Sequence, residues 1–160
     1  MKTNNISKLE EIEQEIKDKG IELIKYPFKS KRLKGLYLSD DNDKYIALSD
    51  DVKSTTEKIC VLTEELSHDQ ITYGNISDNL KAEKQARFKS YDRLVGLQGL
   101  ITAYNKGCRT LYEFSDELEV TNEFLLECLD AYMNKYGISI TYNNYTINFK
   151  PYLEIKEIDK

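Results

Sequence analysis

The sequence predicts a single α+β domain. Three observations carry that reading. Segments with apolar residues three and four apart, the mark of amphipathic helices, are interleaved with short runs that read as strands around polar turns. The 160 residues are 40% hydrophobic and 32% charged, which supplies a real core and argues against wholesale disorder. The chain carries no internal repeat, low-complexity tract or flexible linker.

Each element follows from local pattern. Ser7 to Lys19 places Leu9, Ile12 and Ile16 three to four apart among charges, a helix with a narrow apolar stripe that Gly20 stops. "IELIKYPF" reads as a strand ended by Pro27. "KGLYLSDDNDKYIALS" reads as a β-hairpin about the polar turn Asp40 to Asp43, giving a small sheet of about three strands. "STTEKICVLTEELSH" opens with Ser54 and Glu57 at capping-box spacing, and Ile59, Leu62 and Leu66 recur at helical intervals. The spacing predicts a buried helix from about Thr55 to His68. "DQITYGNISDN" is a polar loop containing Gly74. "LKAEKQARFKSYDRLVGLQGLITAY" is helical, with a break near Gly96 or Gly99. "LYEFSDEL" is a short helix. "TNEFLLECLDAYMNKYG" is a longer one, capped by Thr121, lined by Leu125, Cys128, Leu129, Tyr132 and Tyr136, and stopped by Gly137. "ISITYNNYTINFK" alternates about Asn143-Asn144 as a terminal hairpin. Residues 1–106 read as a core and 107–160 as a C-terminal helical element plus hairpin, packed on that core as one domain.

Composition narrows the function. A net charge of −5 argues against a general nucleic-acid binder. Three widely spaced cysteines, Cys60, Cys108 and Cys128, fit reduced thiols in a cytoplasmic protein. The N-terminus has no apolar signal region, and no run reaches the ~18 apolar residues of a membrane span. The basic run "KSKRLK" reads as an exposed loop, and the 12 tyrosines as packing residues.

The stretch "VLTEELSH" is the chemically informative one. Residues four apart on a helix share a face, so Glu64 and His68 can converge on one ion. Glu65 lies about 100° around the helix from Glu64 and about 60° from His68, within reach of a bound water. Two ligands one turn apart with a glutamate between them is the logic of a zincin-like helical core. Zinc with one open position needs a third protein ligand. Glu83 on the next helix is a candidate, in register with Ala86, Ser90 and Leu94 on an inward stripe, while Lys81, Lys84 and Arg87 look outward. A carboxylate there needs a partner, because burying it alone is expensive. The plain alternative is a solvated Glu-x-x-x-His pair, which is common on helices. Cys60 reads as a small core residue.

Four blocks in order also resemble one known family. "CVLTEELSH" is similar to a "C-x-L-A-E-E-L-G-H" form, "YGNISD" to a "VGDILD"-type loop, and "EKQARFKSYDRLVGLQGLITAY" to a helix that opens Glu-x-x-Ala-Arg and ends Tyr-x-x-Leu. "YEFSDELEVTNEFLLECLDAYMNKYG" is similar to a C-terminal helical element. From roughly Lys34 to Gly137 the chain resembles the ImmA/IrrE family of metallopeptidases of phages and integrative elements, in the low-GC Gram-positive form.

The resemblance implies metal binding by Glu64, His68 and Glu83, with Glu65 as the catalytic base. Glu64 replaces the usual imidazole, a change that the resembling subgroup shares. Ser67 stands where glycine is common, and Asp69 where a second histidine is often seen. One imidazole with two carboxylates is a harder set than two imidazoles with one, so zinc is expected, with manganese or iron as alternatives. The implied function is a metal-dependent endopeptidase that cleaves or antagonises a helix-turn-helix repressor of the same mobile element. The alternative is a catalytically degenerate, peptidase-like anti-repressor that only binds it. A third class, a DNA-binding regulator, meets Glu123, Glu127 and Asp130 with no Lys or Arg between Thr121 and Tyr132, where a reading helix needs basic residues.

Overall fold

The computed structural model describes residues 5–71 and 80–159. The "YGNISD" block and most of the polar loop around Gly74 lie outside the described residues. Among the described residues the chain forms six helices and two three-stranded sheets, a mixed α+β architecture. It divides into two compact units, Met1–Arg87 and Phe88–Lys160.

The first unit opens with helix α1 (Lys8–Asp18). Ser7 Oγ accepts the Glu10 N–H at 3.2 Å and the Glu10 carboxylate accepts the Ser7 N–H at 2.8 Å, a complete capping box. Ile12 and Ile16 are buried, as their spacing requires. Gly20, at φ +71°, turns the chain into β1 (Ile21–Tyr26). Strands β2 (Gly35–Ser39) and β3 (Lys44–Ser49) form the expected hairpin. Its turn is tied by Asp40, whose Oδ1 accepts the N–H groups of Asn42 and Asp43. β1 joins this hairpin by pairing parallel to β3, so the order is β1-β3-β2 and β3 is central. Ile46, Ala47, Leu48 and Ser49 are accordingly all buried, the pattern of a strand covered on both faces.

Helix α2 (Thr55–Ile71) packs against α1, β2 and β3. Ser54 Oγ accepts the Glu57 N–H at 3.1 Å and starts it. Ile59, Leu62 and Leu66 are buried along its inner face. Helix α3 (Leu80–Leu94) follows, and the division between the two units falls within it. Ala82, Ala86, Ser90 and Leu94 are buried.

The second unit continues with α4 (Gly96–Asn105), α5 (Leu111–Glu117) and α6 (Asn122–Tyr136). The helical segment breaks at Gly96, where φ is +68°. Thr110 and Glu113 form a second capping box, and Thr121 Oγ1 accepts the Phe124 N–H. Leu125, Cys128, Leu129 and Tyr132 form the buried stripe of α6, and Tyr136 lies half-buried at its end. The Tyr132 hydroxyl donates to Asp92 at 2.7 Å and accepts the Gly96 N–H at 3.2 Å, fastening the α3–α4 break to α6. Strands β4 (Ser139–Tyr142) and β5 (Tyr145–Asn148) make the terminal hairpin, with Asn143 at φ +53°. A third strand, β6 (Glu154–Glu157), extends it. Among the described residues no helix is long and apolar enough to cross a membrane.

Candidate metal centre

The site is built in the first unit, on the last two turns of α2. Glu64 and His68 are one turn apart, and Glu65 lies between them. The His68 side chain is 8% exposed, and its Nε2 stands 3.5 Å from Oε2 of Glu83 on α3. Two donors that each lie 2.0–2.1 Å from a tetrahedral zinc are about 3.4 Å apart. The His68–Glu83 spacing therefore matches the bite of such an ion. Burial disfavours the charged imidazolium and lowers the His68 pKa, outweighing the Glu83 carboxylate. The neutral ring is the form that binds metal.

Glu65 faces strand β2. Its Oε2 accepts the Tyr37 N–H at 2.8 Å. Burial, then the negative charge of Glu64, push its pKa from 4.5 up to about 8, against the opposing pull of the Tyr37 N–H. That places its proton exchange near neutrality, where a general base works best.

The approach of β2 to α2 depends on a glycine. A Cβ on Gly35 would lie 2.6 Å from Val61 Cγ1 and 3.0 Å from Glu65 Cγ. Any side chain there would force the Val61 side chain or the strand to shift. Two residues on, the Tyr37 ring lies parallel to the His68 ring, with centroids 6.4 Å apart and planes 9° apart. The Tyr37 hydroxyl donates to Asp69 Oδ1 at 2.8 Å, and Lys44 Nζ lies 2.7 Å from the same oxygen. Asp69 thus straps α2 to β2 and β3. Burial works against its ionised form, but these two donors outweigh it and hold its pKa low.

No protein-family model, curated protein or solved structure matches the chain.

Of the four residues singled out from sequence, His68 and Glu83 are brought together, and Glu65 stands beside them on α2. Glu64 pairs with Arg87. Its Oε1 lies 3.1 Å from Nε of Arg87, one turn beyond Glu83 on α3. Among the described residues no group of three or more His, Cys, Asp or Glu side chains is arranged to hold an ion. His68 and Glu83 stand at a spacing that one ion could bridge, and two protein donors fall short of the three that a zinc site with one open position needs.

Glu83 also sits less deeply than its register suggests. Ala86, Ser90 and Leu94 are buried, but the Glu83 side chain is 41% exposed at the margin of that stripe. Its carboxylate lies 3.5 Å from His68 Nε2, whereas the partner expected from sequence was a metal shared with that histidine. Arg87 is exposed, as expected, yet it belongs to the site through Glu64. Gly35 and Tyr37 are the other members that the sequence reading passed over. A glycine opening a strand beside an apolar helix was the available signal for Gly35. The Tyr37 contribution is a backbone N–H, which no side-chain pattern reveals. The cysteines lie apart from this chemistry: all three are buried, and burial pushes the Cys128 thiol up to about 12, leaving little thiolate.

Proposed function

We propose that the chain is a metal-dependent endopeptidase of the ImmA/IrrE type, acting on the helix-turn-helix repressor of a mobile element. The observation that carries this reading is the 3.5 Å approach of His68 Nε2 to Glu83 Oε2 across two helices, with Glu65 beside it. His68 and Glu83 would hold the ion, with Glu64 as third ligand. A bound zinc, manganese or iron ion would supply Lewis acidity and a water acidic enough to ionise near neutral pH.

The chain's own part is proton handling and positioning. Glu65 would take a proton from the attacking water and return it to the leaving amine. The Tyr37 N–H holds one oxygen of that carboxylate and leaves the other for the water. Tyr37 and Asp69 fix α2 against the sheet, which sets the direction of both Glu65 and His68. The test is incubation of the full chain with any helix-turn-helix repressor encoded beside it. Cleavage by wild type and its loss in Glu65→Gln is the expected result. Equal cleavage by both proteins would refute the role of Glu65.

One observation favours a second reading, a peptidase-like protein that binds the repressor without cutting it. Glu64, the third ligand in the first reading, pairs instead with Arg87. Repressor binding by wild type and Glu65→Gln alike, with no cleavage by either, identifies this form.

A further inference from the structure

We propose that the outer face of the first sheet is a self-complementary docking surface, on which a second copy of the chain seats about a two-fold axis. Residues paired across the strands share a face, and successive residues of a strand alternate between faces. Gly35, Tyr37, Ile46 and Leu48 face α2, since Gly35 meets Val61 and the Tyr37 hydroxyl meets Asp69. Helix α1 packs on α2 and so lies on that same side. The other face carries Ile24, Tyr26, Leu36, Leu38 and Tyr45, with the small side chains of Ala47 and Ser49 on the central strand sunk between them. Tyr26 is 51% exposed, Leu38 47% and Leu36 37%. These side chains form a contiguous apolar surface turned away from α2.

Charge at the two ends of the sheet selects the occupant. β1 and β3 run one way and β2 the other, so Tyr26, Ser49 and Gly35 mark one end, and Ile21, Lys44 and Ser39 the opposite one. The loop 27–34 at the first end carries Lys29, Lys31, Arg32 and Lys34. Asp51 pairs with Lys31 and Glu57 with Lys34, and Asp50 balances Lys53 in charge, which leaves Lys29 and Arg32 as a positive surplus. The opposite end carries Glu22, Asp40, Asp41 and Asp43, while Lys19 and Lys44 there are drawn to Asp69 on the α2 side. Asp43 above all, then desolvation, then Glu22 and Asp40 raise the Tyr45 pKa, so these carboxylates crowd the outer-face phenol. A two-fold axis in the sheet plane, running across the strands, turns the second copy end for end. It lays the acidic turn of each copy against the basic loop of the other. An axis along the strands would set like charges together. A three-stranded face measures about 15 Å by 20 Å, well below the ~800 Å² per partner of a standard interface. The charged margins are therefore needed, and the dimer is a weak one.

The test is sedimentation equilibrium of the full chain from ~1 to ~300 µM, in about 50 mM and about 500 mM salt. The proteins are wild type, Leu38→Lys, the basic-end pair Lys29→Glu with Arg32→Glu, the acidic-end pair Asp41→Lys with Asp43→Lys, and both pairs combined. Circular dichroism checks that each is folded. Wild type is expected to dimerise with a Kd of about 10–100 µM in low salt, and about tenfold more weakly in high salt. Leu38→Lys and each one-ended reversal should weaken the dimer about tenfold or more, and the combined reversal should restore it. Wild type that stays monomeric at every concentration in low salt overturns the proposal and leaves the face to a different partner. A dimer that Leu38→Lys leaves unchanged overturns it as well, by placing the contact elsewhere. A dimer that Leu38→Lys weakens, but that ignores the one-ended reversals or is not restored by the combined one, refutes the end-for-end arrangement.

Discussion

Replacing Glu65 with glutamine in metal-free protein alters how stability depends on pH, and the geometry gives the sign. The carboxyl has a pKa of about 8 in the folded chain against 4.5 when unperturbed, because it is buried and faces Glu64. A group whose folded pKa is raised contributes stability that is complete below the unfolded value and is lost as pH climbs through the folded one. The window therefore runs from pH ~4.5 to pH ~8. At about 1.4 kcal/mol per pH unit, the full span corresponds to no more than ~5 kcal/mol. Glu65 retains some solvent contact, which screens the charge, so a loss of about 1–3 kcal/mol is expected. Glutamine keeps an oxygen for the Tyr37 N–H and has no proton to lose. Urea unfolding in chelator-containing buffer at pH 4.5, 6, 7 and 8 reads the difference directly. Wild type and variant should be close at pH 4.5, and the variant should gain steadily over wild type up to pH 8. Parallel profiles over that range would show that Glu65 ionises as freely as an exposed carboxylate. The argument for a general base poised near neutrality would then fail.

Two further substitutions probe what positions the site and what holds the second unit. Gly35→Ala inserts a methyl group 2.6 Å from Val61 Cγ1, so either the Val61 side chain or β2 must shift. A loss of about 1–3 kcal/mol is expected in urea unfolding, and an unchanged midpoint would contradict the close approach. Tyr132→Phe removes the hydroxyl that serves both Asp92 and the Gly96 N–H from a fully buried side chain. It should cost about 1–3 kcal/mol, read as a lowered thermal midpoint, and an unaltered midpoint would show those bonds to be replaceable.

Much of the secondary structure was legible because apolar spacing carries it. Ile12 and Ile16 mark α1, Ile59, Leu62 and Leu66 mark α2, and the buried stripe from Leu125 to Tyr132 marks α6. Asn143-Asn144 marks the terminal turn. Pairing was harder to read. Nothing local in "IELIKY" states that it lies parallel to β3, although the unbroken burial of "IALS" is what a central strand requires. β6 has a single buried residue, Ile155, among charged neighbours, and so leaves no alternation to detect. In the site, the spacing of Glu64, Glu65 and His68 on one helix was visible because helical geometry is regular. The roles of Arg87 and the Tyr37 N–H were not, because they depend on how α3 and β2 meet α2.

The central claim is that His68 and Glu83 share a metal ion, and metal analysis of the full chain tests it most directly. Elemental analysis by mass spectrometry of freshly purified protein should find about one equivalent of zinc, manganese or iron. That metal should be lost from His68→Ala and from Glu83→Ala while both variants remain folded. Metal-free wild type that also fails to take up any of the three ions on dialysis, or metal retained equally by both variants, would contradict it.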